Sequence, residues 1–344
     1  MLPAFLFGLR FVFDHCGDPV NSVHQWRPAR AAGNQTGEVV AREYRLHVSD
    51  VEHPGIADLD IRSQKKISDS ASTAQRETPP CKYSMKPEIL SSACRSPALA
   101  DKCAMGIVIK TPRMGFSKTR LCPPFSPAEA ASISRCFLND ISATIAALSR
   151  QDPFVVGVAV YTPVGSEEEL AALLPSGFRL IAQRETDFGN RLLGAIRDLL
   201  SAGFAAVCLI NADSPTLPFQ YLLDLATFLK QPKDRLVLGP SLDGGYYALG
   251  LRHAHPRIFE EITWNTDRVY EETIERSKEI NLPVVTLPAW YDVDDQFWLN
   301  RLLSELLPEY AKEVVPQGAP APNTKKFLRQ VLVQEGLTRI WYRR

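Results

Sequence analysis

The apolar run Met105-Gly-Ile-Val-Ile109 leads straight into Lys110-Thr-Pro-Arg-Met-Gly-Phe-Ser-Lys-Thr-Arg-Leu121, and Ser126-Pro-Ala-Glu129 follows shortly after. This order predicts a buried strand, a loop carrying Lys110, Arg113, Lys118 and Arg120, and then a helix. Ser126 stands as N-cap, with Pro127 at the first helical position and Glu129 at the third, a capping box. Four cations on one loop can share the charge of a diphosphate with nearby backbone N–H groups. Gly115 would allow the backbone to approach a phosphate closely. The same residues also read as a solvated basic loop, so the choice depends on what accompanies them.

Downstream, strand and helix patterns alternate. After the strand Ala104–Lys110 and the helix Ser126–Arg150, with Ile133, Phe137, Ile141, Ile145 and Leu148 on one face, strands are predicted at Phe154–Tyr161, Phe178–Ala182 and Ala205–Asn211. Further strands follow at Arg235–Gly239, Tyr246–Gly250 and Pro283–Leu287. The intervening helices are a short one after Ser166, then Asp187–Ala202, Pro218–Lys230, Thr266–Ile280 and Asp295–Leu306. Such alternation implies one α/β domain, a doubly wound and mostly parallel sheet with helices on both faces. Ligands of such sheets bind beyond the carboxyl ends of the strands, which is where the polar motifs fall.

The rest of the chain narrows the possibilities. Residues 14 to about 86 carry prolines, serines and scattered charges without sustained periodicity, and read as disordered. The folded domain is expected over residues 103–310. Residues 1–102 are then a disordered extension, or the product of a start codon placed too early, with Met85 or Met105 as alternative starts. Residues 311–344 form a tail with a short helix. The 39 basic and 39 acidic residues among 344 cancel, which argues against a nucleic-acid or membrane-surface binder. No stretch has transmembrane length. The seven cysteines form no C-x-x-C pair, so neither a disulfide framework nor a cysteine zinc site is indicated, and a cytoplasmic location fits. Four of the six histidines precede residue 54, leaving only His253 and His255 in the folded part, so a histidine-based catalytic centre is not expected.

Four further constellations carry chemistry. Asp213, in Asn211-Ala-Asp-Ser-Pro215, stands just past a buried strand, where it could hold Mg²⁺ or Mn²⁺ or simply cap a turn. Asp243-Gly-Gly-Tyr-Tyr247 reads as a hairpin whose Asp243 and Tyr246 could face a sugar or base. In Tyr291-Asp-Val-Asp-Asp295 the alternate residues Asp292 and Asp294 can point at one cation, or Asp294 or Asp295 can cap the helix that follows. Asp187 and Arg191, one helical turn apart, could orient a ribose or form a surface ion pair. Three acidic clusters and one basic loop at strand ends favour a metal-dependent enzyme acting on a nucleotide compound. Gly-Phe-Ser-Lys-Thr is not a P-loop, and there is no Ser/His/Asp arrangement.

Taken together, Lys110-Thr-Pro-Arg113, Lys118-Thr-Arg-Leu121, Asp187-Phe-Gly-Asn-Arg191, Asp213-Ser-Pro215, Asp243-Gly-Gly-Tyr-Tyr247, Trp264-Asn-Thr266 and Asp292-Val-Asp294 resemble a bacterial family of GT-A-type glycosyltransferases, also described as radical-SAM/selenodomain-associated transferases. The resemblance covers residues 103 to 307 and extends to Ala321–Leu328. It implies a nucleotide-diphospho-sugar transferase fold. The basic loop also looks like that of phospholactate guanylyltransferase and of molybdenum-cofactor nucleotidyltransferases. On that analogy Lys110, Arg113, Lys118 and Arg120 meet phosphates, and Asp213 with a later aspartate holds the metal. One departure stands out: where GT-A enzymes often carry Asp-x-Asp, this chain has Asn211-Ala-Asp213, which leaves Asp292 or Asp294 to supply the second carboxylate.

The implied activity is glycosyl transfer from a nucleotide sugar to a small-molecule acceptor, with Asp213 and Asp243 as candidate catalytic groups, Asp243 as the base. Nucleotidyl transfer from an NTP with release of pyrophosphate is the second reading, and a nucleotide-binding protein that has lost catalysis is the third.

Overall fold

Seven strands and the helices around them follow the predicted order closely. The computed structural model describes residues 87–184, 186–311 and 314–340. Residues 1–86, most of the segment read above as disordered, lie outside the described residues. The strands are β1 (Cys103–Lys110), β2 (Val155–Thr162), β3 (Arg179–Ala182), β4 (Ala206–Asn211), β5 (Leu236–Pro240), β6 (Tyr246–Leu251) and β7 (Val284–Thr286). Their order in the sheet is β3-β2-β1-β4-β6-β5-β7, parallel except for β6, which runs antiparallel to both of its neighbours. The chain reverses between β5 and β6 through Asp243-Gly-Gly245. Among the described residues the α-helices are α1 (Pro127–Gln151), α2 (Glu167–Ala171), α3 (Phe188–Ala202), α4 (Phe219–Lys230), α5 (Val269–Glu279), α6 (Gln296–Leu306), α7 (Pro322–Glu335) and α8 (Leu337–Ile340).

β1 shows why the sheet is covered on both sides. Cys103, Met105, Ile107 and Ile109 are buried in one core with the apolar faces of α1, α4, α6 and α7. Ala104 and the partly buried Val108 belong to a second core with α3. Because strand side chains alternate between faces, an uninterrupted apolar run is what a sheet sandwiched between helices requires. Ser126 Oγ accepts from Glu129 N, and Glu129 Oε2 accepts from Ser126 N at 2.8 Å, so the capping box forms as read. Gly203, at φ +124, closes α3.

Two boundaries differ from the sequence pattern. Residues 87–102, read as part of the extension, are structured: Ile89 bridges to Leu180 of β3, and Leu90 and Leu99 are buried beside α3. These two leucines are separated by eight residues, mostly small or polar and including Pro97, and so show no period of their own. The tail helix α7 is not short but fourteen residues long, and Leu328, Val331 and Leu332 lie in the core shared with α1.

The amino terminus of α7 is capped from another element. Asp140 of α1, only 1% exposed, accepts from Asn323 N and Nδ2 and from Thr324 N and Oγ1, at 2.7–3.1 Å. Replacing Asp140 with alanine would leave these donors without an acceptor in a buried place and strip the cap from α7. A loss of about 2–4 kcal/mol is expected, seen as a fall in melting temperature of roughly 5–15 °C for a domain of this size. A shift under one degree would contradict the role given to Asp140.

Candidate active site

The carboxyl ends of β1 and β4 open onto a cavity of about 320 Å³. Of the predicted residues, Lys110, Lys118, Arg120, Asp213 and Asp294 line it. The loop after β1 supplies the cations, the residue two beyond β4 supplies Asp213, and the segment before α6 supplies Asp294. That last segment is pinned beside β4 by Val293 N, which donates to the Asp213 carbonyl at 2.9 Å.

Lys118 is the centre of the arrangement. Its Nζ lies 2.8 Å from Asp213 Oδ1 and 2.8 Å from Asp294 Oδ1, and donates to the Val293 carbonyl at 2.8 Å. Its side chain is 7% exposed and its backbone is left-handed at φ 50, a conformation a β-substituted residue adopts only where its surroundings hold it. Burial alone would lower the Lys118 pKa, but Asp213 and Asp294 overcome this and raise it, so the ammonium stays charged. For Asp294, burial is outweighed by Lys118 and Arg120, which hold its carboxyl below the usual range.

Asp292 is the opposite case. It is half-buried, accepts from Ser241 Oγ, and forms no ion pair among the described residues. Burial, then repulsion from Asp243, with smaller contributions from Asp294 and Asp213, pushes its pKa up to about 7. With Asp243 beside Asp292, four carboxyl groups stand at this end of the sheet with the three cations Lys110, Lys118 and Arg120, and a divalent cation would lower the repulsion among them. Asp213, Asp292 and Asp294 nevertheless do not converge as a ready three-ligand cluster, because the Lys118 ammonium stands between two of them.

The other predicted residues have different neighbours. Arg113 makes a two-pronged contact with Glu169 of α2, outside the cavity lining. Gly115 takes φ +78 and nothing crowds it. Asp187 is the N-cap of α3, accepting from Asn190 N at 3.0 Å, and Arg191 stacks 5.6 Å from the Phe188 ring. Gly189 explains part of this motif: a Cβ there would meet Trp264 Nε1 at 2.8 Å. The Asp187-Phe-Gly-Asn-Arg191 and Trp264-Asn-Thr266 motifs are therefore packed on one another. Asp243 accepts from Gly245 N in the β5–β6 turn. That turn admits only glycine at 244, since a Cβ would strike the Asp267 carbonyl at 2.2 Å and φ is +93. The Tyr246 hydroxyl is buried and without a hydrogen-bond partner among the described residues.

Residues not singled out individually in the sequence also enter the cavity. Asn265, at φ 63, and Ser134 of α1 line it. Asn265 lies within a quoted motif, and asparagine tolerates the left-handed region. Ser134 carries no signal, being one polar residue on a long amphipathic helix.

This geometry frames what the chain is similar to. Residues 144–266 match a family described as uncharacterized protein conserved in bacteria (DUF2064), a span that contains the Asp187, Asp213, Asp243 and Trp264 motifs. A candidate nucleotide-diphospho-sugar transferase of known structure from Desulfovibrio desulfuricans G20 is 27% identical, with a TM-score of 0.57 over 69% of this chain and 98% of that one. The fold is that of a nucleotide-diphospho-sugar transferase.

More distant matches include CMP:2-keto-3-deoxy-manno-octonic acid synthetase complexed with CTP, 12% identical with a TM-score of 0.41 over 60% of this chain and 99% of that one. Another is a cytidylyltransferase from Leptospira borgpetersenii, 13% identical with a TM-score of 0.39 over 71% and 98%. Likenesses this remote say nothing of this chain's substrate. Among curated proteins none matches the sequence. Among the described residues no helix is long and apolar enough to cross a membrane.

Proposed function

We propose that this chain is a divalent-metal-dependent glycosyltransferase that takes a nucleotide-diphospho-sugar donor. The observation that carries the reading is the convergence of Lys110, Lys118 and Arg120 with Asp213 and Asp294 in one cavity at the carboxyl ends of β1 and β4. The solved relative described as a nucleotide-diphospho-sugar transferase supports it.

Lys110 and Arg120 would take the diphosphate oxygens, and Lys118, whose three N–H donors meet Asp213, Asp294 and the Val293 carbonyl, would add fixed positive charge beside them, which stabilises the negative charge that develops as the glycosidic C–O bond breaks. Asp213, with Asp292 and Asp294, would hold Mg²⁺ or Mn²⁺. When bound, the ion supplies further neutralisation of the leaving diphosphate. Asp243, in the turn beside Asp292, is the candidate acceptor of the proton released when an acceptor hydroxyl attacks the sugar. Asp187 and Arg191 hold the start of α3, which packs against Trp264, and Tyr246, whose hydroxyl is buried, follows the turn that carries Asp243. Arg113 reaches phosphate only by leaving Glu169.

Nucleotidyl transfer is the second reading. The number of cations on the β1 loop suits a triphosphate, from which an acceptor phosphate would displace pyrophosphate.

Melting the full chain with UDP-, GDP- and dTDP-sugars and with the four NTPs, each with Mn²⁺ and with EDTA, separates the readings. At a hundredfold excess over Kd a ligand adds about 2.7 kcal/mol. A Mn²⁺-dependent rise with one nucleotide sugar is the expected result. A rise with an NTP alone would replace the first reading with the second, and no rise with any compound would leave the nucleotide-binding function itself without support.

A further inference from the structure

Asp234 precedes β5, and His253 and His255 follow β6. The two strands are antiparallel, pairing Val237 with Gly250, and continuing that register sets Asp234 opposite His253. His253 and His255 are alternate residues, and His255 is extended at φ −111, ψ 96, so both imidazoles can fall on the same side. The result is a three-sided cluster. His253 Nδ1 lies 3.2 Å from Asp234 Oδ1, and His255 Nε2 lies 3.0 Å from Asp234 Oδ2. One ligand atom from each of the three residues lies within 4.8 Å of the other two, the one such group of histidine, cysteine and acidic residues among those described.

The spacing is compatible with an ion: a tetrahedral first-row metal bonded to N and O at about 2.0–2.1 Å holds its ligand atoms roughly 3.3 Å apart, near the 3.0 and 3.2 Å from each histidine nitrogen to one of the two Asp234 oxygens, of which the His255 contact also has hydrogen-bond geometry. Moreover, Asp234 Oδ1 is shielded from solvent yet accepts no hydrogen bond, although His253 Nδ1 is 3.2 Å away. The contact has the distance of a hydrogen bond without its alignment.

We propose that Asp234, His253 and His255 form a zinc site at the end of the sheet opposite the candidate active site, where β5 begins and β6 finishes. Two imidazoles and one carboxylate select a borderline ion such as Zn²⁺ over Mg²⁺ or Ca²⁺, which prefer oxygen. The all-oxygen aspartate group at the other end has the reverse preference. The six residues of β6 place the two sites about 20 Å apart, so neither shares a ligand with the other, and the zinc site does not rest on the transferase reading. His253 is two-thirds exposed, so an ion has access, and water completes its shell. The bound ion braces the connections at the base of β5 and β6, the two strands whose opposite ends carry Ser241 and Tyr246.

The test is equilibrium dialysis of the full, chelator-stripped chain against ZnCl₂ alone. One equivalent of zinc should be retained. The His253→Ala/His255→Ala double variant should bind at least about a hundredfold more weakly, whereas Asp213→Asn should bind as the parent does. Nitrogen-15 spectra of the parent chain, which has only six histidines, provide a readout independent of any variant's folding: zinc should shift the ring nitrogens of two of them. Undiminished zinc retention by the double variant, loss of zinc in Asp213→Asn, or histidine ring signals unmoved by zinc would each overturn the proposal.

Discussion

Replacing Lys118 with methionine is expected to cost stability, sharply lower turnover and make the protein more responsive to divalent metal. In the native site one ammonium holds two carboxylates and a main-chain carbonyl. Methionine fills much of the same volume but leaves Asp213 and Asp294 facing each other without a counter-charge. Breaking a fully buried ion pair from one side costs about 3–5 kcal/mol. Here the partners are 35% and 39% exposed, so water recovers part of that, and a loss of about 1–3 kcal/mol is expected. Release of the left-handed backbone at residue 118 offsets nothing, since methionine carries the same Cβ. Catalysis suffers more: a fixed cation removed from a developing diphosphate charge costs on the order of 100- to 1,000-fold in kcat.

The diagnostic part is the metal. If Lys118 occupies the place of a cation between the two aspartates, Mn²⁺ will raise the melting temperature of the methionine variant by more than it raises that of the parent chain. Equal responses, or none, would mean that the two aspartates do not form a cation site.

The framework of this fold is visible in its residues because each element states its own boundaries. Uninterrupted apolar runs mark the buried strands, and Ser126 with Glu129 marks the start of α1. Gly203 marks the end of α3. The basic loop and Asp213 are legible for the same reason: they sit directly beyond runs that can only be buried. What was not legible is pairing at a distance. Lys118 meets Asp294 across 176 residues, and Arg113 meets Glu169 across 56, so cations that look alike in sequence part company: Lys118 and Arg120 share Asp294, whereas Arg113 turns to α2. Asp187 reads in sequence as a ligand or as an ion-pair partner of Arg191, and the hydrogen bond it accepts from Asn190 N makes it the cap of α3 instead. His253-Ala-His255 carries a visible spacing, but its significance depends on Asp234, which comes alongside only through the antiparallel β5–β6 register. The tail helix is a similar case: its cap is Asp140, 183 residues earlier.

Asp292→Asn is expected to give a protein that is more stable above neutral pH and inactive. The change keeps the shape of the side chain and an oxygen for the Ser241 hydroxyl, and removes only the charge. In the folded chain burial and the neighbouring Asp243 push the Asp292 pKa up to about 7, against about 4 for an unfolded aspartate. The folded state therefore holds this proton more tightly than the unfolded one. Its contribution is fully present below about pH 4 and is lost as pH rises through about 7, where the carboxylate must ionise among other negative charges. The parent chain should thus lose stability across this window, while the asparagine variant is spared this loss. At pH 8 the difference is on the order of 2 kcal/mol in favour of the variant, a few degrees in melting temperature. At pH 4.5 the two should melt together. Turnover should fall at least about 100-fold at every pH, because the charge that destabilises the empty site is the charge proposed to hold the metal, a trade of stability for function common at active sites. Thermal melts of both proteins from pH 4.5 to 8.5, with turnover measured alongside, decide the matter. A constant difference across that range would show that Asp292 does not titrate near neutrality, and retained turnover would remove it from the metal site.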